Sequence, residues 1–233
     1  MELFYMIKNN LFKYQLISPN LPVGGFCYSE GMESFLQKKN LKTDDSIKNL
    51  ILDELKFGQI RIEAKSLIKF YELYNKLSNK DEIEDLKKEI LSLNKFIIAS
   101  RDSKEIRDQQ NQMGKSLLDL SKNFGAKFPF EVENLISWPL AWSWACFSFE
   151  ITKIEMVENF IYAWTSNQLS AAMRLIPLGS TKAQMIQYEL LEIINKISQE
   201  IINKKISDIY VGNVGLSMAQ QNHNDLYSKL FKN

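Results

Sequence analysis

The chain of 233 residues contains very few of the side chains that build metal sites and disulfides. Its two cysteines are Cys27 and Cys146, and His223 is its only histidine. Neither cysteine has a CxxC neighbour, which excludes a disulfide framework and a cysteine-based zinc site. One histidine cannot form an HExxH site or a three-histidine metal site within one chain. We therefore predict that the protein has no metal ligands and no cofactor of its own.

Turn-forming residues and net charge are also scarce. The 9 glycines and 5 prolines are too few for a β-sandwich or barrel with many tight turns. The formal net charge is only +1, which argues against a protein that binds nucleic acid through bulk positive charge. The most apolar run, residues 138–149, is too short to span a bilayer and is typical of a buried helix. Because no targeting segment is visible, we expect a cytoplasmic protein that does not bind membranes.

The dominant pattern along the chain is helical. Apolar residues recur at steps of three and four, and strand-like alternation appears only in fragments. Pro177 and Gly179 would end one helix, and Thr181 would start the next. Further helices are predicted over residues of about 45–76, 81–99 and 104–125. We predict an all-α fold, a single-domain helical bundle of roughly eight to ten helices with a short C-terminal docking helix.

The last part of the chain is predicted to be a separate functional unit. We divide the sequence into an all-helical domain over residues 1–213 and a C-terminal partner-docking tail over residues 214–233. His223, Tyr227 and Leu230 would fall on one helical face, with Phe231 beside it. A helix this short is marginal in water, so we expect the tail to order mainly when it docks.

The segment over residues 19–33 is rich in residues that constrain or free the backbone. Pro19 and Pro22 stiffen it, whereas the pair that begins at Gly24 permits positive φ angles. A simple connection between helices and a rigid loop that presents Phe26 and Tyr28 to a partner both fit this composition. The spacing is that of neither a GxGxxG nor a P-loop, so phosphate binding is not expected.

Arginine is rare in a chain that mostly uses lysine as its cation. Only four of the 29 lysine and arginine residues are arginines: Arg61, Arg101, Arg107 and Arg174. Such an arginine is a candidate for a site that needs its planar, forked geometry. Arg101 could equally form a solvated surface pair with Glu105 four residues later. Gln168 lies on an otherwise apolar helix face, so its amide must find partners there.

Four segments, in the same order along the chain, carry residues typical of one protein family. The loop segment has Pro19, Pro22, Gly24, Phe26, Ser29, Gly31 and Glu33, and the middle segment has Arg101, Arg107, Gln112, Met113 and Gly114. The third segment has Asn167, Gln168, Ala172, Arg174, Pro177, Leu178, Gly179 and Thr181. The closing segment has Tyr227, Ser228, Lys229, Leu230 and Phe231. In this combination the chain resembles the UreF family of urease accessory proteins, although Lys229 stands where the family usually has arginine.

The resemblance implies a function as well as a fold. Members of the family are all-α proteins, usually homodimers, without catalysis of their own. They join the accessory protein UreD, also called UreH, and the GTPase UreG in delivering nickel to apo-urease. The resemblance therefore implies that this chain bridges UreD/UreH and UreG through partner-binding residues, which we expect to be Pro22, Gly24, Phe26, Tyr28, Arg101, Arg107, Gln112, Met113, Arg174, His223, Tyr227, Lys229, Leu230 and Phe231.

Two alternatives stay open at this point. The chain could act catalytically on the GTPase by supplying an arginine, with Arg101, Arg107 and Arg174 as candidates. A more distant alternative is an unrelated helical enzyme that uses His223.

Overall fold

A computed structural model describes residues 11–39, 43–78, 83–133 and 135–233 of the chain. Within these ranges the protein is all helical and has no strand, which confirms the predicted fold class and helix number. None of the described helices is long and apolar enough to cross a membrane. The ten α-helices, α1 to α10 in chain order, span residues 11–16, Met32–Lys39, Asp44–Phe57, Ile60–Ser78, Ile83–Ala99, Lys104–Asn123, Trp138–Ser148, Lys153–Leu175, Ser180–Asn203 and Val214–Asn222.

Helix α7 lies at the centre of the apolar interior, as its sequence predicts. The Ser137 hydroxyl caps it by accepting a hydrogen bond from the Leu140 amide, and α7 packs against both α4 and α6. Trp142 is fully buried and donates its indole N–H to the Met156 carbonyl at 3.2 Å. Edge-on and tilted ring contacts also join Tyr74, Phe128, Trp144 and Phe147. This interior is stabilised mainly by apolar burial.

The prediction of a single helix over residues 45–76 is wrong, because the helix is interrupted at Gly58, between α3 and α4. Gly58 has an extended ψ of 176°. The Glu54 carboxylate folds back over it, so a Cβ at this position would lie 1.9 Å from Glu54 Cδ. The same carboxylate accepts a hydrogen bond from the Ile60 amide at the start of α4. A glycine is therefore required for the close approach of Glu54 to the backbone.

Helices α8 and α9 pack against each other, and their ends follow the sequence signals. Thr152 and Glu155 form a capping box at the start of α8. Helix α8 ends at Leu175, and the residue before Pro177 is extended, as the proline ring favours. Gly179 is the N-cap of α9, which begins at Ser180, one residue before the predicted Thr181.

The tail differs from the prediction in one respect. Helix α10 is followed by a 3₁₀ turn over His223–Asp225, and residues 226–233, which we call the strap, are not helical. His223 is fully buried, whereas Tyr227 is fully exposed, so the predicted helical face shared by His223, Tyr227 and Leu230 is wrong. The reason is that strap amides donate to the segment at residues 27–33 instead of along a helix.

Candidate functional site

The loop at residues 18–28 presents one aromatic side chain outward and one inward. Gly24 has a φ of +76°, which allows the following 3₁₀ turn, Gly25–Cys27, to close. Phe26 lies on this turn and is 63% exposed. Tyr28 is buried, and its hydroxyl donates to Gln112 on α6 at 2.9 Å. The loop is thus attached to α6 by Tyr28 and leaves Phe26 free on the surface.

A second left-handed turn directs the Glu30 side chain inward. Glu30 has a φ of +52° and Gly31 a φ of +88°. Gly31 packs closely against Gln220 of α10: a Cβ added at residue 31 would lie 2.9 Å from the backbone nitrogen of Gln220. The Glu30 carboxylate accepts hydrogen bonds from Gln109 at 2.7 Å and from Trp164 at 3.0 Å. Glu30 therefore connects the loop to α6 and α8.

Beneath the loop lies a buried charge cluster, which consists of Arg101, Glu30, Glu54 and Glu63. Arg101 is only 3% exposed, and its guanidinium lies 3.2 Å from Glu63 and 3.7 Å from Glu30. Burial raises the pKa of Glu63 to about 7, although the charge of Arg101 acts in the opposite direction. Burial also raises the pKa of Glu54.

Glu33 in the first turn of α2 holds the strap. Its carboxylate accepts hydrogen bonds from the backbone amides of Leu230 at 2.8 Å and Phe231 at 3.1 Å, and it lies 3.1 Å from Nε2 of His223. The Lys232 amide donates to the Cys27 carbonyl at 3.0 Å. The strap therefore runs directly beside the loop.

The end of the strap is tied to both the loop and α6. The Ser29 hydroxyl donates to the main-chain oxygen of Asn233, and the Glu30 amide donates to the Asn233 side chain. The Asn233 amide in turn donates to Gln109, which also contacts Glu30. A continuous set of hydrogen bonds thus joins the strap, the loop and the buried charge cluster.

Arg174, at the end of α8, joins the loop and the strap from the outside. Its guanidinium donates to the Phe26 carbonyl at 2.8 Å and lies 4.4 Å from the centre of the Phe231 ring. Phe231 itself is buried, and Leu230 before it is 59% exposed. Around these contacts the surface exposes a set of apolar and cationic side chains that we call the loop–strap face: Phe26, Arg174, Tyr227, Lys229 and Leu230.

The structure divides the sequence-predicted site residues into an exposed, a partly buried and a buried group. Pro22 and Gln112 are exposed like the residues of the loop–strap face, and Gly24 and Arg107 are partly buried. The remaining five are buried against the chain itself: Tyr28, Arg101, Met113, His223 and Phe231. In this conformation the buried residues support the surface and do not form it.

Four acidic residues of this site were not predicted from the sequence as site residues, namely Glu30, Glu33, Glu54 and Glu63. Glu63 carried a signal, since it interrupts the apolar stripe that includes Ile60 and Leu67. Glu33 belongs to the family pattern, but an acidic residue in the first turn of a helix is also explained by the helix dipole. Nothing in the local sequence of Glu30 indicates an inward-facing carboxylate.

The burial of two residues bears on the alternative functions. His223 is fully buried, and its Nε2 is 3.1 Å from a carboxylate oxygen of Glu33, so it has no access to a substrate in this conformation. Arg101 is enclosed by the charge cluster and does not reach the surface. In the part of the chain that the structure describes, no group of three or more histidine, cysteine, aspartate or glutamate side chains is arranged to hold a metal ion.

Comparisons with known proteins agree on one family. The UreF family model matches residues 41–191. A protein of Prochlorococcus marinus strain MIT 9312, named urease accessory protein UreF, is 62% identical over 228 residues, which cover 98% of this chain and all of the relative. A Synechocystis protein with the same name is 30% identical over 224 residues, or 94% of this chain and 95% of the relative.

Proposed function

The chain belongs to the UreF family of urease accessory proteins, and from that membership we propose that it bridges a UreD/UreH-type accessory protein and a UreG-type GTPase. In this proposal the assembly inserts nickel into apo-urease, and the chain contributes binding surfaces without catalysis of its own. In this proposal nickel is the cargo of the assembly. We further propose that the protein works in the cytoplasm as a homodimer.

The observation that carries the proposal is the composition of the loop–strap face. Phe26, Tyr227 and Leu230 are large apolar side chains with at least half of their surface exposed. Arg174 lies between loop and strap, next to Phe26. Aromatic residues and arginine dominate binding energy at protein interfaces, and side chains on a fixed backbone lose little entropy on binding. This supports the loop–strap face as the docking surface for the UreD/UreH-type partner, and the proposed docking tail at residues 214–233 contributes Tyr227, Lys229 and Leu230 to it.

Specific hydrogen bonds hold the strap against the rest of the chain. This supports a docking surface that exists before the partner binds. Glu33, Cys27 and Ser29 each bond a strap residue. A preformed surface does not have to be ordered during association, so more of the contact energy appears as affinity. We propose this in place of the expectation that the tail orders mainly on docking.

The exposure of the three candidate arginines ranks them for a possible contribution to GTP hydrolysis. Arg101 is buried and Arg107 donates to the Arg101 carbonyl at 2.7 Å, whereas Arg174 is exposed. An arginine that acts on a GTPase must reach the transferring phosphate, so Arg174, the most exposed of the three, is the first candidate for this secondary role, and its guanidinium would have to leave the Phe26 carbonyl. Loss of GTPase stimulation in both Arg174→Lys and Arg174→Ala, with partner binding retained, would support the role. Stimulation that survives in Arg174→Ala would exclude it.

The proposal is tested by reconstitution. The purified chain is mixed with cognate UreD/UreH-type and UreG-type proteins, and complexes are separated by size-exclusion chromatography with light scattering. The mixture is then added to apo-urease with nickel, bicarbonate and GTP, and urease activity is measured with and without this chain. We expect a complex that contains all three proteins and activation that depends on the chain. Equal activation without the chain would refute the proposal.

A further inference from the structure

Glu33 is a buried carboxylate whose acceptor capacity is used almost entirely by the strap. The residue is 2% exposed. One carboxylate oxygen accepts from the Leu230 amide, and the other accepts from the Phe231 amide and contacts the His223 ring. Apart from His223, no cation forms an ion pair with Glu33 among the described residues. The carboxylate therefore acts on the backbone of the strap directly.

The three groups around Glu33 must all donate. Two are backbone amides, which can only donate, and an ionised carboxylate can only accept. The His223 ring therefore carries its hydrogen on Nε2, which faces the carboxylate. His223 Nδ1 is buried and has no hydrogen-bond partner among the described residues, as suits an unprotonated ring nitrogen. The site thus has a defined arrangement of hydrogens that depends on a carboxylate at residue 33.

Binding two consecutive amides fixes the direction of the side chains that follow them. The chain bends at Leu230 and Phe231, so their successive amides converge on one carboxylate, and holding both fixes a bend with Leu230 on the outside and Phe231 on the inside. Leu230 is 59% exposed, and Phe231 is 4% exposed beneath the Arg174 guanidinium. A strap released from Glu33 would lose this bend, and Leu230 would no longer lie at a fixed place on the loop–strap face.

We propose that Glu33 is the positioning residue for the partner-docking strap, which it holds through the Leu230 and Phe231 amides and the Nε2–H form of His223. Glu33 does not touch the partner in this arrangement; it acts through the backbone of residues 230 and 231. The identity of the partner rests on the proposed function, whereas the positioning of the strap is a property of this chain alone.

The test replaces Glu33 with glutamine in the full-length chain. Glu33→Gln keeps the size of the side chain but turns a donor NH₂ toward groups that are themselves donors. Glu192→Gln, on the exposed surface of α9, is the matched control for the loss of one negative charge. Glu33→Asp keeps the charge with a shorter reach, and it gives a smaller effect of the same kind if Glu33→Gln does not fold.

Three measurements report on the strap without any partner. Hydrogen exchange of the Leu230 and Phe231 amides should accelerate at least about tenfold in Glu33→Gln while the melting temperature stays close to that of the parent. Trypsin should cleave the Lys229–Leu230 bond faster, with cleavage after Lys204 and Lys205 unchanged as an internal reference. Because the chain has one histidine, its imidazole nitrogen resonances are unambiguous, and the Nε2–H signature should be lost.

A fourth measurement links the strap to binding. We expect the affinity for the cognate UreD/UreH-type protein to fall at least about tenfold in Glu33→Gln and to stay unchanged in Glu192→Gln. Unaltered exchange at Leu230 and Phe231, or a released strap with unaltered affinity, would overturn the proposal for Glu33. Failure of the parent chain to bind would instead refute the proposed function, while the exchange and cleavage results would still decide whether Glu33 holds the strap.

Discussion

The interior around α7 and the region around the strap are stabilised in different ways. In the interior, Trp142 and its aromatic neighbours are buried among apolar side chains from several helices. Around the strap, the contacts are directional hydrogen bonds and ion pairs between residues far apart in the sequence, such as Glu33 with Phe231 and Arg101 with Glu30. Apolar burial contributes to the stability of the whole fold, whereas the polar contacts fix the position of one surface segment. Substitutions in the two regions should therefore differ in kind as well as in size.

The largest loss of stability is expected for Trp142→Ala. Trp142 is completely buried and bonds the Met156 carbonyl, so the change leaves a large cavity and an unpaired acceptor. Truncations of this type cost about 3–5 kcal/mol of unfolding free energy. Urea denaturation followed by far-UV circular dichroism measures the effect. A loss below about 1 kcal/mol would contradict the assignment of this region as the main source of stability.

The buried charge cluster should make stability depend on pH. Because the pKa of Glu63 is raised to about 7 in the folded chain, unfolding releases a proton between the ordinary glutamate range and pH 7. Stability is therefore expected to fall as the pH rises through this window, by up to roughly 3 kcal/mol from this group. Glu63→Gln cannot titrate and keeps most of the side-chain volume. We therefore expect the unfolding free energy of Glu63→Gln minus that of the parent to increase from pH 5 to pH 8. If this difference stays constant, Glu63 is ionised throughout the range.

A smaller effect is expected for Phe231→Ala, although Phe231 is nearly as buried as Trp142. The strap can detach without unfolding the helices, so the cost to global stability is limited to the free energy that holds the strap, which we expect to be about 1–2 kcal/mol. Trypsin cleavage after Lys229 should accelerate much more than global unfolding does. If Phe231→Ala lowers the unfolding free energy as much as Trp142→Ala, the strap belongs to the cooperative core and the comparison fails.

The smallest effect on stability is expected for Phe26→Ala. The side chain is 63% exposed, and the Phe26 atom that bonds Arg174 is the main-chain carbonyl oxygen, which the substitution keeps. Truncation of such a surface residue should change the unfolding free energy by about 0.5 kcal/mol or less. Formation of the three-protein complex and activation of urease should both decline. A drop in melting temperature of more than a few degrees would place Phe26 in the core.

The contrast between the two regions also explains how far the sequence could be interpreted. The apolar spacing of α8 and its stop at Pro177 are local features, and the predicted helix agrees with the observed one. The break at Gly58 was missed because one glycine lowers helix propensity by only about 1 kcal/mol and does not by itself end a helix. What ends it is the Glu54 carboxylate against that glycine, a contact that appears only once the chain is folded.

The candidate site was predicted in part for the same reason. The family pattern placed Phe26, Arg174 and Leu230 among the partner-binding residues, and all three are exposed. It gave no indication that Arg101 and His223 are buried, because their partners Glu63 and Glu33 are contributed by other helices. Long-range polar contacts follow from the packing of helices and have no periodic signature in the sequence.

The central claim is that the exposed side chains of the strap dock a UreD/UreH-type partner, and one binding measurement tests it most directly. Tyr227→Ala/Leu230→Ala is compared with Tyr188→Ala, which removes an exposed tyrosine from α9, by isothermal titration calorimetry with the cognate partner. We expect the double variant to keep the parent melting temperature and to bind about 30-fold more weakly or worse, a loss of about 2 kcal/mol, while Tyr188→Ala binds like the parent. Equal affinities for the parent and the double variant would contradict the claim.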